Sequence, residues 1–188
     1  MPDLREQLQQ CLQGRFCLMG LGNVDYGDDG FGVRLAEKLG EGGVSDVIIA
    51  GTSPERFIGR VTDDGYDYLL FLNAVEFGGA PGSVIFLNAG EITARFPQVS
   101  THKISLGLMA KWVEDGGKTR AYLLGVQPES LKAAAELTPV VQTTLELLSG
   151  LISEILQDEK KRADSYSNSS EWPDGRTEAI APNTEVTV

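Results

Sequence analysis

Apolar residues fall along the chain in short dense runs, separated by stretches where they recur every three or four positions. The strand candidates are Arg15–Gly20 (RFCLMG), Val44–Ala50 (VSDVIIA), Tyr68–Asn73 (YLLFLN), Ser83–Leu87 (SVIFL) and Thr119–Gly125 (TRAYLLG), of which YLLFLN is the uninterrupted one. Runs of this length bounded by turn residues predict strands, and YLLFLN in particular reads as a strand buried on both faces of a parallel sheet. Phe31, Leu35 and Leu39, with Val33 and Ala36 between them, return at helical spacing until Gly40, Gly42 and Gly43 end the helix. Asp3–Leu12 reads as a short polar helix, and Pro54 opens another that carries Phe57, Ile58 and Val61. Ser100–Lys103 leads into a helix through Leu106 to Val113, stopped by Gly116 and Gly117. Thr138 and Pro139 form a helix start, with a hydroxyl N-cap and Pro at the first helical position. Val141, Leu145, Leu148, Ile152 and Ile155 then follow in alternating steps of four and three, the clearest amphipathic helix of the chain.

Strands alternating with helices predict an α/β fold, an open, twisted, mostly parallel sheet with helices on both faces. One domain is expected over residues 1–157. At Asp158 the composition turns abruptly polar, and 158–188 is expected to be a disordered tail whose one large apolar residue is Trp172. Sites in open α/β sheets lie beyond the carboxyl ends of the strands. That directs attention to Gly20–Gly30, Asn73–Gly82 and the segment around His102.

Charge and composition narrow the function. A net charge of −11 over 188 residues argues against binding a nucleic-acid backbone or an anionic membrane surface. No segment approaches the roughly 20 apolar residues of a membrane-spanning helix, and Met1–Gln10 lacks the apolar stretch of a signal peptide. The two cysteines, Cys11 and Cys17, match no zinc or redox spacing, and Cys17 sits in an apolar run. A cytoplasmic protein is expected, without disulfides.

The loop after the first strand reads Gly20-Leu-Gly-Asn-Val-Asp-Tyr-Gly-Asp28-Asp29-Gly30. Its Gly-x-Gly is not a dinucleotide fingerprint, because the third small residue is replaced by Asp25 and two acids stand where a phosphate would meet the helix. A single Asp here is explained by helix capping; two adjacent ones are explained less well. Paired acids on a strand-end loop also hold hard or borderline cations. His102, the one histidine, precedes a helix, and neutral imidazole is a common nitrogen ligand for nickel or zinc, although a surface or hydrogen-bonded histidine is the plainer reading. A Ser–His or Cys–His nucleophile has no support, since no Gly-x-Ser-x-Gly elbow exists and neither cysteine sits at a strand-to-helix turn.

Taken in order, Gly20-Leu-Gly-Asn23, Asp28-Asp29-Gly30-x-Gly32, Gly51-Thr-Ser-Pro54-Glu55, Leu72-Asn73-Ala74-Val75, Phe77-Gly-Gly-x-Pro81-Gly82, Ser100-Thr-His102-x-x-Ser105-Leu106, Gly125-Val-Gln-Pro128-Glu129 and Leu137-Thr-Pro139 resemble the nickel–iron hydrogenase maturation proteases. The resemblance runs from about Arg15 to Gly150. It implies an endopeptidase that removes a C-terminal extension from the precursor of a hydrogenase large subunit after nickel insertion. The implied partner is that precursor, met by a monomer. No permanently bound cofactor is implied; the nickel recognised is the client's, and zinc or cadmium can substitute for it in vitro. The implied metal-contacting and catalytic residues are Asp29, Asn73 and His102. The family has Asp where this chain has Asn73, which removes one negative charge and a possible general base. Glu76, three residues on, is a possible replacement, although a position at the rim is the plainer expectation. Asn73 also motivates an alternative, a non-catalytic checkpoint or chaperone that senses the nickel state of the large subunit.

Overall fold

Residues 3–96 and 105–168 are described in this computed structural model. Asp3 opens the chain with a capping box: its carboxylate accepts the Glu6 amide at 2.8 Å, and Glu6 returns a bond to the Asp3 amide. Helix α1 (Leu4–Cys11) follows, then β1 (Phe16–Leu21), a 3-10 turn (Gly27–Gly30), α2 (Phe31–Glu41), β2 (Val47–Gly51), a second 3-10 turn (Pro54–Arg56) and α3 (Ile58–Asp63). The chain continues through β3 (Tyr68–Ala74), β4 (Val84–Asn88), α4 (Ala89–Arg95), α5 (Leu106–Asp115), β5 (Arg120–Val126) and α6 (Pro139–Asn168).

The five strands form one sheet in the order β2-β1-β3-β5-β4, parallel throughout except for β4, which runs antiparallel to β5. Alternate residues along each strand feed two cores. Met19, Phe71 and Leu123 pack under α3, α4 and α5 with Ile58, Ile92 and Met109. Leu18, Leu70, Leu72 and Leu124 pack under α1, α2 and α6 with Leu8, Phe31, Leu35, Val141 and Ile152. The open, mostly parallel architecture expected from the pattern of runs is therefore present. Fully buried side chains of this size contribute about 1.5–3 kcal/mol each.

Helix α2 lies unusually close to the sheet. A Cβ at Gly32 would stand 1.9 Å from the Leu72 carbonyl oxygen and 2.5 Å from that of Leu21, both rigid backbone atoms. Gly32 thus lets the helix settle over the crevice between β1 and β3. Gly32→Ala is expected to cost about 3 kcal/mol, at the upper end of overpacking effects. Urea unfolding followed by circular dichroism reads this directly, and an unchanged midpoint would disprove the close-packing role.

Three local differences from the sequence expectations have physical causes. Helix α4 was not anticipated; it is only seven residues long, and its signal is the capping box of Asn88 and Glu91, with the Glu91 amide 3.0 Å from Asn88 Oδ1. The change at Asp158 is no structural boundary, because α6 continues to Asn168. Its apolar stripe ends near Ile155, but Glu159 to Lys161 are good helix formers and Arg162 pairs with Glu159 at 3.0 Å, so the overhanging turns persist without a core. The remainder of the expected tail, with Trp172, lies outside the described residues. Finally, Thr138 precedes α6 as expected, but its hydroxyl donates to Asp28.

Candidate functional site

The strand order reverses between β1 and β3: the chain leaves β1 for β2 on one side and reaches β3 on the other. In open α/β sheets this switch point opens a crevice at the carboxyl ends of the strands. The loop after β1 and the end of β3 meet there.

Asp28 and Asp29 have separate tasks within the 3-10 turn. Asp28 is fully buried. Its carboxylate accepts the amides of Glu129 (2.8 Å), Ser130 (3.0 Å) and Thr138 (2.7 Å) and the Thr138 hydroxyl (2.9 Å). It fastens the segment after β5 to the loop after β1. Backbone bonds extend the seam, from Gly27 N–H to the Ala134 carbonyl at 2.8 Å and from Ala134 N–H to the Asp25 carbonyl at 3.0 Å. Neither acid caps the turn, which has no side-chain cap.

Asp29 faces the other way. Its Oδ2 accepts the Asn23 amide at 2.8 Å, and Asn23 Oδ1 accepts the Asp25 amide at 3.0 Å. The loop closes tightly because Gly22 adopts φ +116°, where a Cβ would stand 1.8 Å from the Asp29 carbonyl oxygen. Asp29 lines a cavity of about 240 Å³ with Asn23, Tyr26, Thr52 and Leu131. Three loops, after β1, β2 and β5, therefore build its walls.

Asn73 is the penultimate residue of β3 and pairs in register with Gly125 of β5. Its Oδ1 is buried and has no hydrogen-bond partner. Such an acceptor costs about 1–3 kcal/mol unless something fills it. Glu76 lies beyond the strand and is exposed. His102 lies outside the described residues, as do Ser100 and Thr101. Ser105 is the N-cap of α5, its hydroxyl accepting the Leu108 amide at 3.2 Å. Arg95 at the end of α4 donates to the Phe77 carbonyl in the loop after β3 at 3.3 Å, which ties α4 to the carboxyl edge.

Two residues at this edge carry more than their sequence suggested. Gln127, directly after β5, is buried, and its Oε1 accepts three successive amides, Phe77 (2.9 Å), Gly78 (3.0 Å) and Gly79 (3.2 Å). It holds the loop after β3 as Asp28 holds the segment after β5. Glu55 directly follows the Pro54 that opens its 3-10 turn, yet the turn has no side-chain cap bond and Glu55 Oε2 is buried without a partner. Both fall within motifs that carry the resemblance, Gln127 in Gly125–Glu129 and Glu55 in Gly51–Glu55, but nothing local in the sequence marks the role of either.

Oxygen donors predominate here: a carboxylate at Asp29, a neutral carbonyl at Asn73 and a carboxylate at Glu55. That set suits a hard or borderline divalent cation. Among the described residues no three His, Cys, Asp or Glu side chains converge as a metal cluster. The thiols take no part. Burial pushes both Cys11 and Cys17 up to about 12, with Asp46 adding to the effect at Cys17, so neither is a thiolate near neutrality. A larger cavity, about 360 Å³, opens beside the antiparallel edge strand among Gln7, Cys11, Phe86 and Tyr122, away from the switch point. Among the described residues no helix is long and apolar enough to cross a membrane.

Comparison with known proteins converges on one family. The family model for hydrogenase maturation protease (HycI) matches residues 33–155. Hydrogenase 2 maturation protease of Escherichia coli is 29% identical over 140 residues, covering 70% of this chain and 84% of that protein. Hydrogenase 3 maturation protease of the same organism is 30% identical over 132 residues, 69% of this chain and 83% of that one. The solved structure of the [NiFe] hydrogenase maturation protease HycI from Thermococcus kodakarensis superposes with a TM-score of 0.71 at 32% identity, over 80% of this chain and 99% of that one. The hydrogenase maturating endopeptidase HybD of E. coli gives 0.63 at 25% identity, over 79% and 93% of the two chains.

Proposed function

Because this chain belongs to the hydrogenase maturation protease family, a family of peptidases, we propose that it removes a C-terminal extension from the large-subunit precursor of a nickel–iron hydrogenase once nickel is in place. In this reading the client's nickel is part of the substrate. Asp29 contacts it as an anionic oxygen, Asn73 as a neutral one, and His102 as an imidazole nitrogen. The metal fixes the client tail and polarises a carbonyl or activates a water at the bond to be cut. The chain's own residues orient it: the Asn23 amide holds one Asp29 oxygen, leaving the carboxylate directed at the cavity.

The observation that carries the reading is the buried, unpartnered Oδ1 of Asn73, on the strand next to the loop that bears Asp29. A fold does not ordinarily leave a desolvated acceptor empty, and such exceptions call for a functional account. The test is incubation with nickel-loaded and nickel-free precursor, with the client C-terminus read by mass spectrometry. Trimming that requires nickel is expected. Trimming of both forms alike would refute the nickel reading, and trimming of neither would refute the protease reading.

Asn73 also favours a second reading, a non-catalytic checkpoint or chaperone of the large subunit that uses the same fold. Asn73→Asp separates the two. For an active protease the variant is expected to cleave at least as fast as the wild type, since it regains a negative charge beside the metal. Binding without cleavage by the wild type, with cleavage appearing in Asn73→Asp, would establish the checkpoint.

A further inference from the structure

Among the described residues, three buried side-chain atoms have no hydrogen-bond partner: Arg34 Nε, Glu55 Oε2 and Asn73 Oδ1. Arg34 is satisfied elsewhere on its guanidinium, which donates to the Ala135 carbonyl. The other two are acceptors, and both belong to the carboxyl edge. Glu55 sits in the turn that follows β2, and Asn73 near the end of β3; β1 pairs with both strands and lies between them. The turn that carries Glu55 leads through Phe57 into α3, which covers the core beneath α3, α4 and α5, and Asn73 continues the alternation of Leu69 and Phe71 toward that same core.

Local structure does not account for Glu55. The turn is only three residues long and has no side-chain cap bond. A desolvated carboxylate oxygen left empty is more costly than a neutral one. Two empty acceptors at one edge of the sheet make a demand for positive charge. Asp29 supplies a single negative charge and Asn73 none, so Glu55 brings the oxygen set to the two charges that match a divalent cation.

We propose that Glu55 is a further metal-recognising residue of this site, contacting the same divalent cation as Asp29 and Asn73. The proposal rests on the nickel-dependent reading above.

The experiment uses the full chain and nickel, zinc or cadmium ions alone, with affinity measured by competition against a chromophoric chelator. Glu55→Gln keeps the shape and removes the charge. It is expected to weaken binding about 10-fold or more while leaving thermal stability unchanged or raised, because an unpartnered buried charge is relieved. Glu76→Gln, at an exposed acid of the same edge, is the control and is expected to bind as the wild type does. Affinity unchanged in Glu55→Gln overturns the proposal, as does a wild type that binds none of the three ions. A lowered melting temperature with wild-type affinity would make Glu55 a structural residue, which also overturns it. Cleavage of nickel-loaded precursor, measured in parallel on the wild type, decides the protease reading separately: cleavage by the wild type together with an unaltered Glu55→Gln affinity would refute only the role of Glu55.

Discussion

Asp28→Ala is expected to destabilise the protein by roughly 3–6 kcal/mol, a large share of the 5–15 kcal/mol that holds a typical domain together. The carboxylate gathers the amides of Glu129, Ser130 and Thr138 and the Thr138 hydroxyl. These are charge-assisted bonds at a fully buried site, so its removal strands three backbone donors in a dry environment. The segment from Glu129 to Thr138 and the start of α6 should then loosen together. Asp28→Asn is expected to recover only part of the loss, because its amide nitrogen must face donors. Urea unfolding monitored by circular dichroism gives the comparison. A loss below about 1 kcal/mol for Asp28→Ala would show that water replaces the carboxylate and that the clamp is dispensable.

Asp29→Ala, one residue on, is expected to do the opposite. It removes one hydrogen bond, from the Asn23 amide, at a cost of about 1 kcal/mol, so the fold should survive. Cleavage of nickel-loaded precursor should fall by roughly 10²–10⁴-fold, the range for losing a group that acts in the reaction. The informative readout is the pair of quantities, rate and melting temperature, for the two alanine variants side by side. Wild-type cleavage by Asp29→Ala would remove this residue from the proposed site.

The contrast between these neighbours explains where sequence reasoning stopped. Asp28-Asp29 is conspicuous as a pair, but nothing in the letters says that a 3-10 turn will aim successive side chains about 120° apart, one into the body and one into the cavity. By contrast, β1, β3 and β5 were legible because strands buried on both faces show as unbroken apolar runs, and α6 because its stripe repeats over several turns. Helix α4 was too short to show a period. Gln127 was invisible as a clamp, because its three partners, Phe77 to Gly79, lie some fifty positions away and are joined to it only by the pairing of β3 with β5. Glu55 does not stand out, since an acid directly after the Pro54 of a helix start is unremarkable until the absence of any cap bond is seen.

The place of β5 between β3 and β4 governs when the site comes into being. During synthesis, β1, β2 and β3 can pair as soon as they emerge, and α2 can cover one side of them. Strand β4 emerges next but has no partner except β5, made more than thirty residues later. Gln127 and the donors to Asp28 arrive after that. The edge proposed to meet the client is therefore assembled late, and a nascent or truncated chain ending before Arg120 is a protein with three paired strands and no working mouth.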